Sequence, residues 1–337
     1  MAHIQWKDRY NIHFREIDAQ HHGLLDLLNE LIDLMDGGKN TEQVEVIFHN
    51  LAAYAVTHFS SEERYMQAAG YPKLAAHSRE HEVFTARVLE LSQAYDPGDP
   101  QLVEETLDFL KHWYLEHITK MDQDYVPFLK RALPTAPIEG ILFGLEGMTC
   151  AFTPAPLLSL LSARCGKPEA EAQAALWADP GFLTNLESGT SDPQAFCTDL
   201  GRWAGQALAP EELATTYLSC YRGTPALIHL ATRLKAHQPV ALVGNAAPWW
   251  RSQGLAESGL TACFNAEVFS CEVGKRLPDP APFLEAARRL GRAPETCLLI
   301  HPDPACLAEA QAAEMQTLHY TNPVMLMAEL RHMGVAF

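Results

Sequence analysis

Residues 58–66 read HFSSEERYM and follow the mostly apolar stretch FHNLAAYAVT at residues 48–57. On a helix, His58 and Glu62 lie on one face because they are four residues apart, and Leu51 and Ala55 extend the same row. An apolar row of this kind is the face that a helix normally buries. Because a buried polar group without a partner costs free energy, the stretch predicts a helix whose buried polar groups share a partner.

The same helical spacing of apolar residues continues up to about residue 132. It forms four rows, and stretches such as DGGKN at 36–40 and DPGDP at 96–100 separate them as turns. The pattern predicts an all-α, up-down four-helix bundle over residues 1–133. Every row carries at least one histidine, and two rows also carry a carboxylate: His21; His58 and Glu62; His77 and His81; His117 and Asp122.

A metal centre would satisfy these polar side chains together, because it neutralises the carboxylates and accepts the imidazole lone pairs. His117 and Asp122 are five residues apart, about 140° around a regular helix, which suits a carboxylate that leans across to a neighbouring metal. Five imidazoles and two carboxylates are too many for one tetrahedral zinc site. They fit two metal ions bridged by Glu62 and Asp122, and this mixture of nitrogen and oxygen ligands suits iron.

The residues also carry a family resemblance. Trp6 and Tyr10, EIDAQH at 16–21, HFSSEERYM at 58–66, HSREH at 77–81 and WYLEHITKMDQDY at 113–125 resemble a bacterial hemerythrin over about residues 4–131. The resemblance implies a non-haem di-iron site that binds O₂. By position, one iron would be held by His77, His81 and His117, and the other by His21 and His58, with Glu62 and Asp122 as bridges. The second iron would keep an open position for O₂.

The resemblance also places an O₂ pocket, in which Leu24, Trp113 and Ile118 match the apolar walls of the family. Tyr114 departs from the pattern, since leucine is more usual there. Its phenol could donate a hydrogen bond, or a proton and an electron, to bound O₂, or its hydroxyl could face water. His22 follows a ligand position but lies about 100° away on the helix, so we expect it to face solvent.

From residue 140 the sequence pattern changes to short apolar runs that alternate with helical segments, which predicts an α/β fold with a parallel sheet. The stretch from about 152 to 236 is mainly helical and is interpreted as an inserted cap. The runs ILFGLEGMT, ALVGNAA, GKRLPDP and LLIHPDP resemble the four motifs of haloacid dehalogenase-like (HAD-like) hydrolases over residues 140–330.

The residues at the catalytic and metal-binding positions of the HAD-like motifs differ in this chain. The nucleophilic aspartate of the family is Gly144, its second-motif hydroxyl is Gly244, and its third-motif lysine is Leu277. The acidic pair of the fourth motif is His301 and Pro302. Covalent phosphoryl transfer needs an attacking carboxylate and a bound magnesium, so these changes predict a pseudoenzyme without phosphatase activity. Its cleft could still hold a small molecule.

The composition limits the possible partners. The formal net charge is −17, which argues against nucleic acid and against an anionic membrane surface. No apolar run is long enough for a membrane span, and the N-terminus carries no secretory pattern. The eight cysteines are scattered between Cys150 and Cys306, which is typical of reduced thiols in a cytoplasmic protein.

The sequence therefore predicts two domains: a di-iron bundle over residues 1–133, a linker over 134–139, and a degenerate HAD-like domain over 140–337. The predicted function is O₂ binding or sensing, with the second domain as a ligand-binding or output module. The alternative is a di-iron oxidase or oxygenase that acts on a small organic substrate held with the help of the second domain, with Tyr114 as a possible catalytic residue. Turnover of a candidate substrate would separate the two hypotheses.

Overall fold

The computed structural model describes residues 3–36, 41–94, 96, 99–132, 136–178, 181–260 and 262–337. The contacts of the chain divide it into two compact units. One contains residues up to 135 together with residues 321–336, and the other contains residues 136–320 and Phe337. The predicted turns at 36–40 and 96–100 and the predicted linker at 134–139 lie partly outside the described residues.

The first unit is a helical bundle, as predicted. Its four long helices are α1 (Arg15–Asp36), α2 (Thr41–Ala68), α3 (Leu74–Ala94) and α4 (Pro100–Glu116). A π-helical turn, His117–Met121, and a 3₁₀ turn, Asp122–Asp124, lead from α4 into α5 (Val126–Ala132). The bundle interior is apolar along most of its length and includes Leu28, Leu31, Phe48, Val88 and Leu110. A smaller apolar cluster around Tyr125 closes one end.

A further helix packs in this unit, although it follows the second unit in the sequence. The helix that we number α16 (Pro323–His332) lies against α1, and Met325 packs on the apolar interior of the bundle. Glu329 of this helix is buried and accepts a hydrogen bond from Tyr54 of α2 at 2.6 Å. The sequence analysis did not anticipate this placement.

The second unit is an α/β fold, again as predicted. Five parallel strands form one sheet in the order β5–β4–β1–β6–β7: β1 (Gly140–Gly144), β4 (Val240–Gly244), β5 (Ala266–Phe269), β6 (Cys297–His301) and β7 (Gln316–His319). Residues of β1, β4 and β6 are almost fully buried, which is typical of a parallel sheet covered on both faces. The helices that accompany these strands are α11 (Pro225–Lys235), α12 (Leu255–Glu257), α13 (Ser270–Val273), α14 (Ala281–Leu290) and α15 (Pro304–Ala312).

A helical cap is inserted between two short antiparallel strands, β2 (Cys150–Phe152) and β3 (Tyr221–Gly223). It comprises α6 (Ala155–Cys165), α7 (Glu169–Trp177), α8 (Phe182–Glu187), α9 (Pro193–Ala204) and α10 (Pro210–Ser219). Among the described residues of both units, no helix combines the length and the apolar character needed to cross a membrane.

Candidate metal centre

The seven predicted ligands converge inside the bundle. The structure brings six of them into two overlapping groups, and within each group the ligand atoms all lie within 4.8 Å of one another: Glu62, His77, His81 and His117, and His21, His58 and Glu62. The histidines approach the carboxylates through Nε2 in every case. A common orientation of five imidazoles leaves their Nε2 lone pairs available to one small region of space.

Asp122 lies between the two groups. Its Oδ2 is 3.2 Å from Nε2 of His21, whereas its Oδ1 is 3.2 Å from Nε2 of His117 and 3.5 Å from Nε2 of His77. The two oxygens of this carboxylate therefore face histidines of different groups. Such an arrangement is what a carboxylate shared by two metal ions requires.

Glu62 belongs to both groups. Its Oε2 is 3.1 Å from Nε2 of His81 and 3.7 Å from Nε2 of both His58 and His77. Its other oxygen, Oε1, accepts a hydrogen bond from the hydroxyl of Tyr125 at 2.5 Å. Tyr125 thus fixes the direction in which Oε2 points.

The turn at the end of α4 explains how His117 and Asp122 reach one site. Residues His117–Met121 form a π-helical turn, and the amide of Asp122 donates to the carbonyl of His117. Such a turn brings residues five apart closer to one face than a regular helix does, and turns of this kind are often found at functional sites. The 140° offset of a regular helix therefore does not apply between His117 and Asp122.

The buried polar atoms of the cluster fit a metal centre. All seven side chains are at most 3% exposed. Within the described structure, no hydrogen-bond partner is found for Nε2 of His21, Nε2 of His77, Oε2 of Glu62 or either oxygen of Asp122. Each such group would cost free energy if it stayed unsatisfied. Metal coordination would satisfy these atoms together.

The electrostatics of the cluster also suit cations. Burial lowers the pKa of His58 to about 4 and that of His21 and His117 well below the usual value, so these imidazoles are neutral at pH 7 and can donate lone pairs. Burial and the charge of Glu62 raise the pKa of Asp122 well above its ordinary range. Two adjacent buried carboxylates resist ionising together, and a bound cation would remove that resistance.

Two further residues contact the ligands from outside, and the sequence analysis missed both. Gln20 Oε1 lies 3.2 Å from Nδ1 of His58, and Glu63 Oε1 lies 2.8 Å from Nδ1 of His81. Both residues occur in stretches that were recognised, EIDAQH and HFSSEERYM, next to a predicted ligand. The available signal was that a metal-bound imidazole needs an acceptor for its second ring nitrogen.

Aromatic and aliphatic side chains surround the cluster. Leu24 and Ile118 are buried, and both belong to the apolar interior together with the half-buried Trp113. Trp113 stacks on the ring of His117 with ring centroids 4.3 Å apart, and Phe59 stacks on His81 at 3.8 Å. Phe59 was not among the predicted pocket residues, although it follows His58 directly.

Tyr114 is buried at 2% exposure, and its hydroxyl donates a 2.7 Å hydrogen bond to the backbone carbonyl of His21. The interpretation that this hydroxyl faces water is wrong, because the bundle interior encloses it. The expectation that His22 faces solvent is wrong as well. Its half-buried ring stacks between Trp6 at 3.6 Å and His332 of α16 at 4.2 Å.

Three of the degenerate motif positions of the second unit lie at the carboxyl ends of its strands. Gly144 ends β1, Gly244 ends β4 and His301 ends β6. A Cβ atom on residue 144 would lie 2.6 Å from Cδ2 of His301. A Cβ atom on residue 244 would lie 2.4 Å from Cβ of Leu145. The space beside each glycine is thus filled by a neighbouring side chain.

Cap and sheet residues of the second unit meet near the same edge. Arg276, from the third motif, forms a 3.0 Å ion pair with the buried Glu187 at the end of α8. The hydroxyl of Tyr217 in α10 accepts a hydrogen bond from the amide of Ala247 at 3.0 Å. Burial, followed by the charge of Glu187, raises the pKa of Glu146 to about 8, so that Glu146 is largely protonated at pH 7.

Comparison with known proteins agrees with both halves of this description. Residues 13–129 match the family model described as the hemerythrin HHE cation binding domain. The chain is 36% identical over 133 residues to a bacteriohemerythrin of Stenotrophomonas maltophilia and 33% identical over 133 residues to one of Pseudomonas aeruginosa. Each match covers 40% of this chain and 86% of the relative.

Solved structures resemble the second unit. A predicted HAD-like family hydrolase from Porphyromonas gingivalis superposes with a TM-score of 0.51 and 23% identity, over 58% of this chain and 98% of that one. A HAD family enzyme from Bacteroides thetaiotaomicron gives a TM-score of 0.50 at 15% identity, over 55% and 95%. At these identities the likeness establishes the fold alone. The chain belongs to the hemerythrin family through its metal-binding bundle, to which a HAD-like fold is fused.

Proposed function

We propose that the bundle holds two non-haem iron ions and binds O₂ reversibly, and that the HAD-like unit is not a phosphatase. One observation carries the proposal: five imidazoles and two carboxylates, all buried, converge on one region, and ligand atoms of His21, His77, Glu62 and Asp122 have no hydrogen-bond partner within the described structure. This ligand number exceeds the needs of a single tetrahedral ion.

The proposed ligand sets follow the two groups. His77, His81 and His117 would hold one iron ion, and His21 and His58 would hold the other. Glu62 and Asp122 would bridge the pair, which is supported by the two oxygens of Asp122 facing opposite groups. The ion with fewer histidines would keep the position that O₂ needs.

The protein supplies the environment for reversible binding. Two iron ions held by these residues would supply the electrons that O₂ binding requires, and the surrounding side chains would control whether O₂ is released unchanged or in reduced form. Phe59 and Trp113 stack on His81 and His117, and together with Leu24 and Ile118 of the same apolar interior they would form a wall that keeps water away from the site. Without water there is no ready proton donor, and reduced oxygen species are released less readily.

The alternative, a di-iron oxidase or oxygenase with a substrate held by the second domain, is suggested in part by Tyr114 as a possible donor of a proton. The hydroxyl of Tyr114 is instead hydrogen-bonded to the carbonyl of His21, and burial raises its pKa well above the ordinary value. A phenol held in this way is a poor proton donor at neutral pH. Reversible binding is therefore the better-supported function.

The proposed absence of phosphatase activity is supported by the residues at the motif positions of the second unit. Gly144 offers no nucleophile, and the His301 ring occupies the place that an aspartate side chain at 144 would need. Glu146 keeps a carboxyl group two residues further on, but one carboxyl group does not replace both the missing nucleophile and the missing acidic pair at His301 and Pro302. We infer that this unit serves as a ligand-binding or output module.

Two measurements test these proposals. Anaerobic loading with iron(II), followed by metal analysis, should give about two iron ions per chain. Incubation of the metal-loaded protein with p-nitrophenyl phosphate and Mg²⁺ should give no hydrolysis above background. One zinc ion per chain would contradict the first proposal, and hydrolysis abolished by Glu146→Gln would contradict the second.

A further inference from the structure

The ligands of the two proposed iron positions are supported from outside in different ways. Only two of the five histidines have a side-chain partner at Nδ1 among the hydrogen bonds found between described residues: His58 faces Gln20, and His81 faces Glu63. Nδ1 of His21 and of His77 is buried, and the described structure shows no partner for either. The outer contacts thus single out one histidine in each ligand set.

The two partners differ in charge. Glu63 offers a carboxylate, and the contact of 2.8 Å suits a charge-assisted hydrogen bond, which is about twice as strong as a neutral one. Gln20 offers a neutral amide oxygen at the longer distance of 3.2 Å. A carboxylate that accepts a hydrogen bond from Nδ1–H makes Nε2 of the same ring a stronger electron-pair donor to a metal. A neutral amide oxygen in the same position has a smaller effect.

His81 lies between two carboxylates of consecutive residues. Glu62 Oε2 faces its Nε2 at 3.1 Å, and Glu63 Oε1 faces its Nδ1 at 2.8 Å. Glu63 does not point into the bundle as Glu62 does, because successive residues on α2 are about 100° apart. It reaches α3 at the edge of the helix pair, where its side chain is 35% exposed.

The amide of Gln20 is held in one orientation by buried neighbours. Its Nε2 lies 3.3 Å from Oγ of Ser61 and 3.4 Å from Oε1 of Glu16. Glu16 in turn accepts a hydrogen bond from Tyr65 and lies 3.6 Å from the guanidinium of Arg64. Because the amide nitrogen is bound on that side, the amide oxygen must face His58.

We propose, on the basis of the di-iron function, that Glu63 and Gln20 are positioning residues that make the two iron positions electronically unequal. Glu63 strengthens the donor set of the ion held by His77, His81 and His117, so that this ion prefers the ferric state more strongly. Gln20 fixes the ring of His58 without adding charge, so that the ion held by His21 and His58 remains the weaker position. The order of metal filling and of oxidation follows from this difference.

The test compares variants of Glu63 with a matched control. Glu63→Gln keeps a hydrogen-bond acceptor and removes the charge, Glu63→Ala removes both, and Glu82→Gln removes an exposed charge next to the ligand His81 on α3. Iron(II) or cobalt(II) is titrated anaerobically against a competing chelator. We expect two binding steps in the wild type, with the tighter step weakened about tenfold or more in Glu63→Ala.

Reduction potentials give a second readout that a merely structural role would not change. A tenfold loss of the preference for ferric over ferrous iron corresponds to about 59 mV for one electron, so Glu63→Ala should raise one potential by an amount of this order. Glu63→Gln should give a smaller rise, and Glu82→Gln should give none. Equal shifts in Glu63→Gln and Glu82→Gln would overturn the proposal, because they would reflect net charge alone.

Gln20 is tested on the other step. Gln20→Leu should weaken the second, lower-affinity metal-binding step and leave the first step unchanged. Ser61→Ala removes only a hydrogen-bond partner of the Gln20 amide nitrogen, so it should weaken the same step by a smaller factor. Weakening of both steps equally would contradict the assignment. If the wild-type protein binds fewer than two metal ions, the di-iron function itself fails. If it binds two and the Glu63 variants match the wild type, only the inference fails.

Discussion

The hydrogen bond between Tyr54 and Glu329 allows a test of how α16 is held in the bundle. Glu329 is 1% exposed, and Oε2 has no partner within the described structure. Burial, assisted by the charge of Glu16, raises the pKa of Glu329 from 4.5 to about 8. The carboxyl group is therefore neutral in the folded protein at pH 7 and ionised in the unfolded chain.

The sign of the pH effect follows from proton uptake. Between pH 4.5 and 8 the folded protein binds a proton that the unfolded chain has lost, so stability falls as pH rises through this window. At about 1.4 kcal/mol per pH unit, the shift corresponds to a loss on the order of 5 kcal/mol, complete above pH 8. Glu329→Gln keeps an acceptor for Tyr54 and removes the titration, so the variant should lose this pH dependence.

Hydrogen exchange of the segment Pro323–His332 measures the effect locally. Wild type and Glu329→Gln should exchange at similar rates at pH 5, whereas at pH 8.5 the wild type should exchange considerably faster than the variant. Glu30→Gln, at an exposed position of α1, controls for the change in net charge and should behave as the wild type does. If wild type and Glu329→Gln exchanged this segment at the same rate at pH 8.5 as well as at pH 5, the reasoning would be refuted.

Three further outcomes are expected. Leu24→Ala should leave the iron content unchanged and speed oxidation of the O₂-loaded protein in absorption time courses; the cavity should also cost about 2–5 kcal/mol in denaturant unfolding, and an unchanged oxidation rate would place the pocket elsewhere. Tyr114→Phe removes the hydrogen bond to the carbonyl of His21 and should cost about 1–3 kcal/mol in stability, with O₂ release little changed; loss of release would implicate the hydroxyl directly. Gly144→Asp should lower the thermal midpoint because of the contact with His301; an unchanged midpoint would show that the His301 ring does not restrict the space at residue 144.

Both folds could be predicted because their signals are local. The four helical rows and the alternation of short strands with helices are properties of neighbouring residues, and the structure confirms the bundle and the parallel sheet. The ligand residues were recognisable for the same reason, since polar side chains stood at positions that their helices bury. Asp122 and His21 belong to separate stretches of the chain, and the structure brings Oδ2 of Asp122 within 3.2 Å of Nε2 of His21.

What could not be predicted depends on contacts between distant parts of the chain. The π-helical turn after α4 has no distinct residue pattern, so the offset of His117 and Asp122 was computed for a regular helix. Helix α16 is separated from Tyr54 by more than 200 residues, and its sequence shows no preference for the first unit. His22 was placed in solvent for this reason, because its partner His332 lies on that helix.

The close packing of the degenerate motif positions against other side chains also could not be predicted from the sequence. Gly144 and His301 are recognisable as separate departures from the HAD-like pattern, but only the structure shows that the ring of one residue fills the space left by the other. Gly244 and Leu145 repeat this relation.

Iron stoichiometry measured together with reversible O₂ binding tests the central claim most directly. The protein is loaded anaerobically with iron(II), desalted and analysed for metal, and its absorption is then followed through repeated exposure to O₂ and removal of O₂. We predict about two iron ions per chain, and near-ultraviolet and visible bands that appear with O₂ and disappear when O₂ is removed. One metal ion per chain, or no change in absorption on exposure to O₂, would contradict the account.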